Sequence, residues 1–190
     1  MSKKNIEIRF KELMEKLKSE EFYNNRGLAN EVPFYIFDYL PEEELNIRYK
    51  VKNELLNSLE NTKLKGIEID LFDLFLESLK NDGINDGIFE SVFHMEERRG
   101  TEVLYEKLKS SFNMEVILKM IKNKVEDKNL VIITGVGKIY PIVRTHALLN
   151  NLQNIFNETK VILFFPGEYT TTDLRLFGFK DNNYYRAFKI

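Results

Sequence analysis

The sequence predicts an α/β fold: a three-layer, mainly parallel, Rossmann-like sheet with helices on both faces, a helical insert at about 74–126 and an antiparallel hairpin at the C-terminus. Two observations predict it. Four strand-like apolar runs, "FYIFDY", "GIEID", "LVIIT" and "KVILFF", are separated by stretches with helical spacing, and such alternation is the mark of parallel crossover units. The tail then carries two strand-like runs around "KDNN", where Asp and Asn tolerate turn conformations. A chain of 190 residues fits one domain, taken here as residues 1–190, that buries roughly 70% of its unfolded surface without disulfides or metals as staples.

Residues 5–18 place Ile6, Phe10, Leu13 and Leu17 on one helical face. After Gly27, the aromatic run between Pro33 and Pro41 suits a strand at 34–39. Residues 42–60 begin with acidic side chains, which favour a helix N-terminus, and set Leu45, Tyr49, Leu55 and Leu59 toward one side. "GIEIDLFDL" at 66–74 alternates Ile67 and Ile69 with Glu68 and Asp70, which fits the second strand. Residues 74–126 hold no strand-like run and read as two or three helices broken near "NDGINDG", Gly100 and Asn113. "LVIITGVG" is the third strand, and a helix from about 139 to 156 carries Ile142, Leu149, Leu152 and Phe156 as its stripe. "KVILFFPG" at 160–167 is the fourth strand.

Composition excludes several classes of function. There is no cysteine, so neither a disulfide framework nor a thiolate metal site exists. The charged N-terminus lacks a signal-peptide core and no apolar run approaches the roughly 20 residues of a membrane span, so no membrane association and a cytoplasmic location are expected. The 28 basic and 30 acidic residues are interleaved, which leaves no broad basic face for nucleic acid and makes direct DNA contact a minor expectation. Fifteen Phe and nine Tyr point to a dense interior or a sizeable interface.

The corner "TGVGK" has the order of a phosphate-binding loop, and Thr134, Gly135, Gly137 and Lys138 are candidate anion ligands. A Walker A loop needs G-x-x-x-x-G-K-[ST], so that backbone N–H groups wrap the phosphates and a hydroxyl holds magnesium. Counted back from Gly137-Lys138, the first glycine position is Ile132 and the hydroxyl position is Ile139. The dinucleotide fingerprint from Gly135 meets Tyr140 at its third glycine. What remains is a strand-loop-helix corner with Pro141 near a first helical turn. Asp38, Asp70 and Glu168 fall near carboxyl ends of predicted strands and are candidate ligands for magnesium or manganese; the simpler assignment gives them capping, pairing and solvated roles. His94 and His146 have no neighbours that mark a catalytic pair, and "EERRG" reads as a helix end whose Arg98 and Arg99 are available to an anionic partner. No catalytic residue and no cofactor are assigned.

Three blocks, "GLANEVPFYIFDYLPEEEL", "ITGVGKIYPIVRTHALLNNLQ" and "FFPGEYTTTDLRLFGFKDNNYYRAFKI", resemble the BrxB family of BREX (bacteriophage exclusion) systems. They cover most of the chain outside its helical middle. Leu40 stands where the family commonly doubles proline, and "TTTD" replaces a more glycine-bearing turn, departures that concern local loop shape. The resemblance implies a phage-defence role beside a large ATPase, a DNA methyltransferase and a PglZ-type alkaline-phosphatase-like protein, as a non-catalytic adaptor or scaffold. Arg144, His146, Arg175, Tyr184 and Tyr185 are candidate partner-facing residues, while Phe188 is expected in the core. The alternative class is a nucleotide- or metal-dependent enzyme that uses the Gly135–Lys138 corner and the strand-end carboxylates.

Overall fold

A computed structural model describes residues 5–24, 34–81, 88–156, 158–170, 173–176, 179–181 and 187–190. Helix α1 (Ile6–Lys18) is capped by Asn5, whose side chain accepts from the Glu7 N–H, and it buries Phe10, Leu13 and Leu17. Those three burials stabilise the docked helix by about 2 kcal/mol each. A short α2 (Glu20–Asn24) leads toward β1 (Phe34–Tyr39), which is buried along its whole length. A 3₁₀ turn at Pro41–Glu43 opens α3 (Glu44–Lys50), which continues through a π-type stretch, Val51–Leu55, into α4 (Leu56–Ser58). Strand β2 (Gly66–Asp70) runs straight into α5 (Leu71–Asn81). The middle is helical: α6 (Ile88–Arg99), α7 (Thr101–Ser111) and α8 (Met114–Val125), the last capped by Asn113. Then come β3 (Leu130–Thr134), α9 (Val136–Ile139), α10 (Thr145–Ile155) and β4 (Lys160–Pro166). Four short strands finish the chain: β5 (Glu168–Tyr169), β6 (Leu174–Leu176), β7 (Phe179–Asp181) and β8 (Phe188–Lys189).

The main sheet has the order β2-β3-β4-β1-β8, and every pairing in it is parallel. From β1 the chain travels over two strands to the far edge and then returns through β3 to β4. Crossovers of one hand that travel in opposite directions place their helices on opposite faces. Two cores follow. One face packs Tyr35, Phe37, Ile132 and Phe164 under α1 and the α3–α4 crossover. The other packs Ile36, Ile133, Leu163 and Phe165 under α5, α8, α9 and α10. The α/β, three-layer expectation is met, with helices on both faces.

Four details differ from the expectation. The strand at 66–74 stops at Asp70, because the Asp70 carboxylate accepts the Phe72 N–H at 2.9 Å and starts a helix. The single helix at 139–156 is two helices, separated by residues 140–144 with a cis Tyr140–Pro141 peptide. The antiparallel strands form a separate sheet, β5-β6-β7, in which Leu176 faces Phe179; β8 joins β1 in parallel instead of closing a hairpin about "KDNN". The crossover helix buries Ile47, Val51, Leu55 and Leu59, and leaves Leu45 and Tyr49 exposed by 75% and 62%.

Candidate functional site

In open parallel sheets, ligands gather at the carboxyl ends of the strands, in the crevice where successive crossovers diverge. Here β1 lies beside β4, and the end of β1 carries Asp38, which is fully buried. A buried carboxylate must be paired. Asp38 accepts from Arg9 Nη2 at 2.9 Å, from Lys189 Nζ at 2.7 Å and from the Tyr169 N–H at 3.1 Å. Arg9 donates in addition to the Asp38 carbonyl, and Lys189 to the Tyr169 carbonyl at 2.9 Å. Burial pushes the Asp38 carboxyl up, but the Lys189 and Tyr169 hydrogen bonds with the charges of Lys189 and Arg9 outweigh it, and the group sits below the usual carboxylate range. Side chains from α1 and β8 thus reach into the crevice.

Asp70 ends β2, and its second oxygen is held by the Lys138 ammonium. Lys138 also lies over the Phe72 ring, 5.6 Å from its centroid. Gly135, at φ +75°, is the turn that permits this: a Cβ there would collide with the Asp70 carboxylate and sit 3.1 Å from the Leu71 nitrogen. Thr134 is buried and its hydroxyl donates to Glu68 at 2.8 Å. Gly137 lies inside α9, a helix of four residues, too short for the summed dipole that favours an anion at a helix start. The candidate anion corner is thus tied to Asp70, and a phosphate at Lys138 has to displace that carboxylate.

The candidate metal ligands are held apart. Two strands separate β1 from β2, so Asp38 and Asp70 stand roughly 14 Å apart at about 4.8 Å per strand, too far to share one ion. Glu168 is exposed on β5, 3.9 Å from Arg175 of β6. Among the described residues no three His, Asp or Glu side chains group as a metal site.

Of the candidate partner residues, Arg144 is exposed at the start of α10, His146 is half-buried in its first turn and Arg175 is exposed. Tyr184 and Tyr185 lie outside the described residues. Phe188 corrects the core expectation: it stacks on Tyr35 at 5.9 Å between centroids yet is 44% exposed, since β8 is a two-residue strand at the sheet's rim. Arg98 and Arg99 are exposed at the end of α6, and His94 is exposed in its middle, 3.6 Å from Glu97.

Arg9, Lys189 and Glu68 carry roles that the sequence does not announce. Each is one charge among several in its stretch, and the only hint for Glu68 is its place between two isoleucines of a strand. Burial pushes the Glu68 carboxyl above its ordinary value; the Thr134 hydrogen bond and the Lys138 charge oppose the rise, and Asp70 and Asp73 add to it. Glu68 opens onto a cleft of about 560 Å³, whose walls include Arg48 and Tyr49 on one side and Asp73 and Glu77 on the other.

The family model described as "BREX protein BrxB" matches residues 67–190. The chain belongs to the BrxB family. Two BrxB relatives agree over nearly its whole length. One, "BREX protein BrxB" from Bacillus cereus (strain H3081.97), is 34% identical over 190 residues, 97% of this chain and 97% of its own. Another, the BREX protein BrxB from Escherichia coli O9:H4 (strain HS), is 34% identical over 188 residues, 97% of this chain and 91% of its own. No solved structure matches the chain. The BrxB match takes in β2, the Gly135 corner and Lys189, and the two relatives extend the likeness across α1 and β1. No helix among the described residues is long and apolar enough to cross a membrane.

Proposed function

We propose that this chain is a non-catalytic adaptor or scaffold subunit of a BREX phage-defence complex, working in the cytoplasm without a cofactor and in contact with the PglZ-type component. Membership of the BrxB family supports a place in a multi-protein BREX system. The observation that carries the non-catalytic part is the closure of the sheet's carboxyl rim. Asp38 is satisfied by Arg9, Lys189 and the Tyr169 N–H, and Asp70 by Lys138 and the α5 backbone. Groups aimed at each other are not aimed at a substrate, and a substrate has to displace carboxylates that are already paired.

Two measurements test this. The tagged full chain, co-expressed with the PglZ-type protein, the large ATPase and the methyltransferase of one BREX cassette, is expected to retain the PglZ-type protein through purification. Calorimetry of the isolated chain with magnesium-ATP is expected to show no heat above dilution. Loss of every partner in the first, or saturable heat abolished by Lys138→Ala in the second, overturns the reading.

A further inference from the structure

Strand β1 is buried along all six residues, Phe34–Tyr39, the pattern of a strand that is flanked on both sides. On one side β4 pairs with every residue of it. On the other, among the described residues, stands β8, whose register covers Tyr35 and Ile36 alone. The Ile36 carbonyl accepts the Ile190 N–H at 3.1 Å, so Ile36 bonds toward β8. Alternation along a strand turns the main-chain groups of Asp38 to the same side. The ladder stops short of them, and the Asp38 carbonyl meets the Arg9 side chain there.

The side chains of β8 define what fits this edge. Position 188 is aromatic: Phe188 stacks on Tyr35, 5.9 Å between centroids, and Tyr35 lies 5.1 Å from Phe22. Position 189 is a cation with several donors. Lys189 Nζ reaches Asp38 Oδ2 at 2.7 Å and the Tyr169 carbonyl at 2.9 Å, and both residues are buried. A side chain with fewer donors leaves a buried acceptor unpaired, and an acidic one sets carboxylate against carboxylate. Position 190 is aliphatic, and Ile190 packs against the core that holds Tyr35, Phe37 and Phe164. The strand that supplies these three side chains is nonetheless lightly held: Phe188 is 44% exposed and the Lys189 side chain 43%.

We propose that β8 is a self-supplied plug on the β1 edge. It is displaced when a partner protein pairs an extended segment with β1, a segment carrying an aromatic residue, a lysine or arginine, and an aliphatic residue in succession. The proposal rests on the adaptor reading and names the surface it uses. Length decides the occupant. A partner segment that runs on toward Tyr39 repeats the contacts of β8 and adds main-chain bonds at Asp38 that β8 does not make. A second copy of this chain brings the same two-residue ladder and gains nothing over the β8 already in place. At Asp38 the exchange is like for like: Arg9 stays on Oδ1, and one cation replaces another on Oδ2.

The test uses the full chain, alone and with the purified BREX components that it retains on co-expression. In the isolated chain, residues 188–190 are expected to exchange amide hydrogens at least about tenfold faster than 130–134 of β3. In the complex, 188–190 are expected to exchange faster still, while 34–39 stay protected. Tyr35→Cys with Phe188→Cys ties the two strands by one disulfide, because the pair is in register on adjacent strands and the chain has no cysteine of its own. Shown by thermal melting to fold, the oxidised variant is expected to lose capture about tenfold, and reduction to restore it. Lys189→Ala loosens β8 without altering β1 and is expected to strengthen capture about threefold. Exchange at 188–190 as slow as in β3, a complex that leaves 188–190 protected, capture indifferent to the disulfide, or capture weakened by Lys189→Ala each overturns the displacement proposal and leaves the adaptor reading standing. Failure of the wild-type chain to retain any component removes both. A dimer of the isolated chain that grows with concentration and vanishes in the oxidised variant shows a second copy as the occupant and overturns the partner proposal.

Discussion

Asp38 is the residue on which the rim depends, and its chemistry fixes the direction of two responses. Asp38→Asn removes the charge and leaves Arg9 and Lys189 facing a neutral amide, with side-chain exposures of 13% and 43%. Breaking one side of a buried pair costs 3–5 kcal/mol, and the partial exposure of Lys189 sets the expected loss near the lower end, about 3 kcal/mol by urea unfolding. The pH response follows from the sign of the shift. A carboxylate held below its unfolded value of about 3.9 contributes its full stabilisation above that pH and loses it as pH falls through the folded value. The wild-type chain is therefore expected to lose stability below about pH 4, and Asp38→Asn to be weaker at neutral pH with a flatter acid limb. Equal slopes for the two proteins on that limb refute the assignment. Burial also pushes the Tyr39 phenol up, with the hydrogen bond to Glu44 next in size, so this buried tyrosine stays neutral and takes no part in the acid response.

At the scale of elements, the junction of β2, α5 and α9 shows how one glycine holds two helix starts together. Gly135→Ala places a side chain at φ +75° and against the Asp70 carboxylate that caps α5, so the left-handed backbone and the lost cap add to about 2–3 kcal/mol. Urea unfolding of Gly135→Ala measures this, and a change under 0.5 kcal/mol, the ordinary scale of a neutral surface substitution, rules out the close approach. The same junction explains what was legible in the sequence. The strands at 34–39, 130–134 and 160–166 announce themselves because central parallel strands are apolar throughout. The end of β2 does not, because a side-chain cap and not a change in hydropathy stops it. The crossover helix was readable as a helix but not in its face: the π-type turn at Val51–Leu55 widens the helix, so steps of four from Ile47 to Leu59 stay in line and Leu45 and Tyr49 fall outside. The site was least legible where polar side chains meet across long distances, as with Glu68 and Thr134, 66 positions apart. No local pattern carries that information.

At the scale of the molecule, α1 and β8 are both anchored on Asp38, near the carboxyl end of β1, the strand next to the β8 edge. Arg9 arrives from 29 positions before it and Lys189 from 151 positions after it. β8 has little else of its own, two residues of ladder, whereas α1 is also held by its buried Phe10, Leu13 and Leu17. The two cations share one carboxylate and do not compete for an oxygen, since Arg9 takes Oδ1 and Lys189 takes Oδ2. If the carboxylate couples them, removing one cation changes what the other is worth: a lone partner left with Asp38 carries the whole task of compensating a buried charge. Arg9→Ala and Lys189→Ala are therefore expected to cost more together than the sum of the single changes, by about 1 kcal/mol within the range found for residues in one network. Urea unfolding of the four proteins in the cycle gives the coupling directly. A sum that is additive to within about 0.3 kcal/mol means that α1 and β8 are held independently and that the shared carboxylate does not couple them.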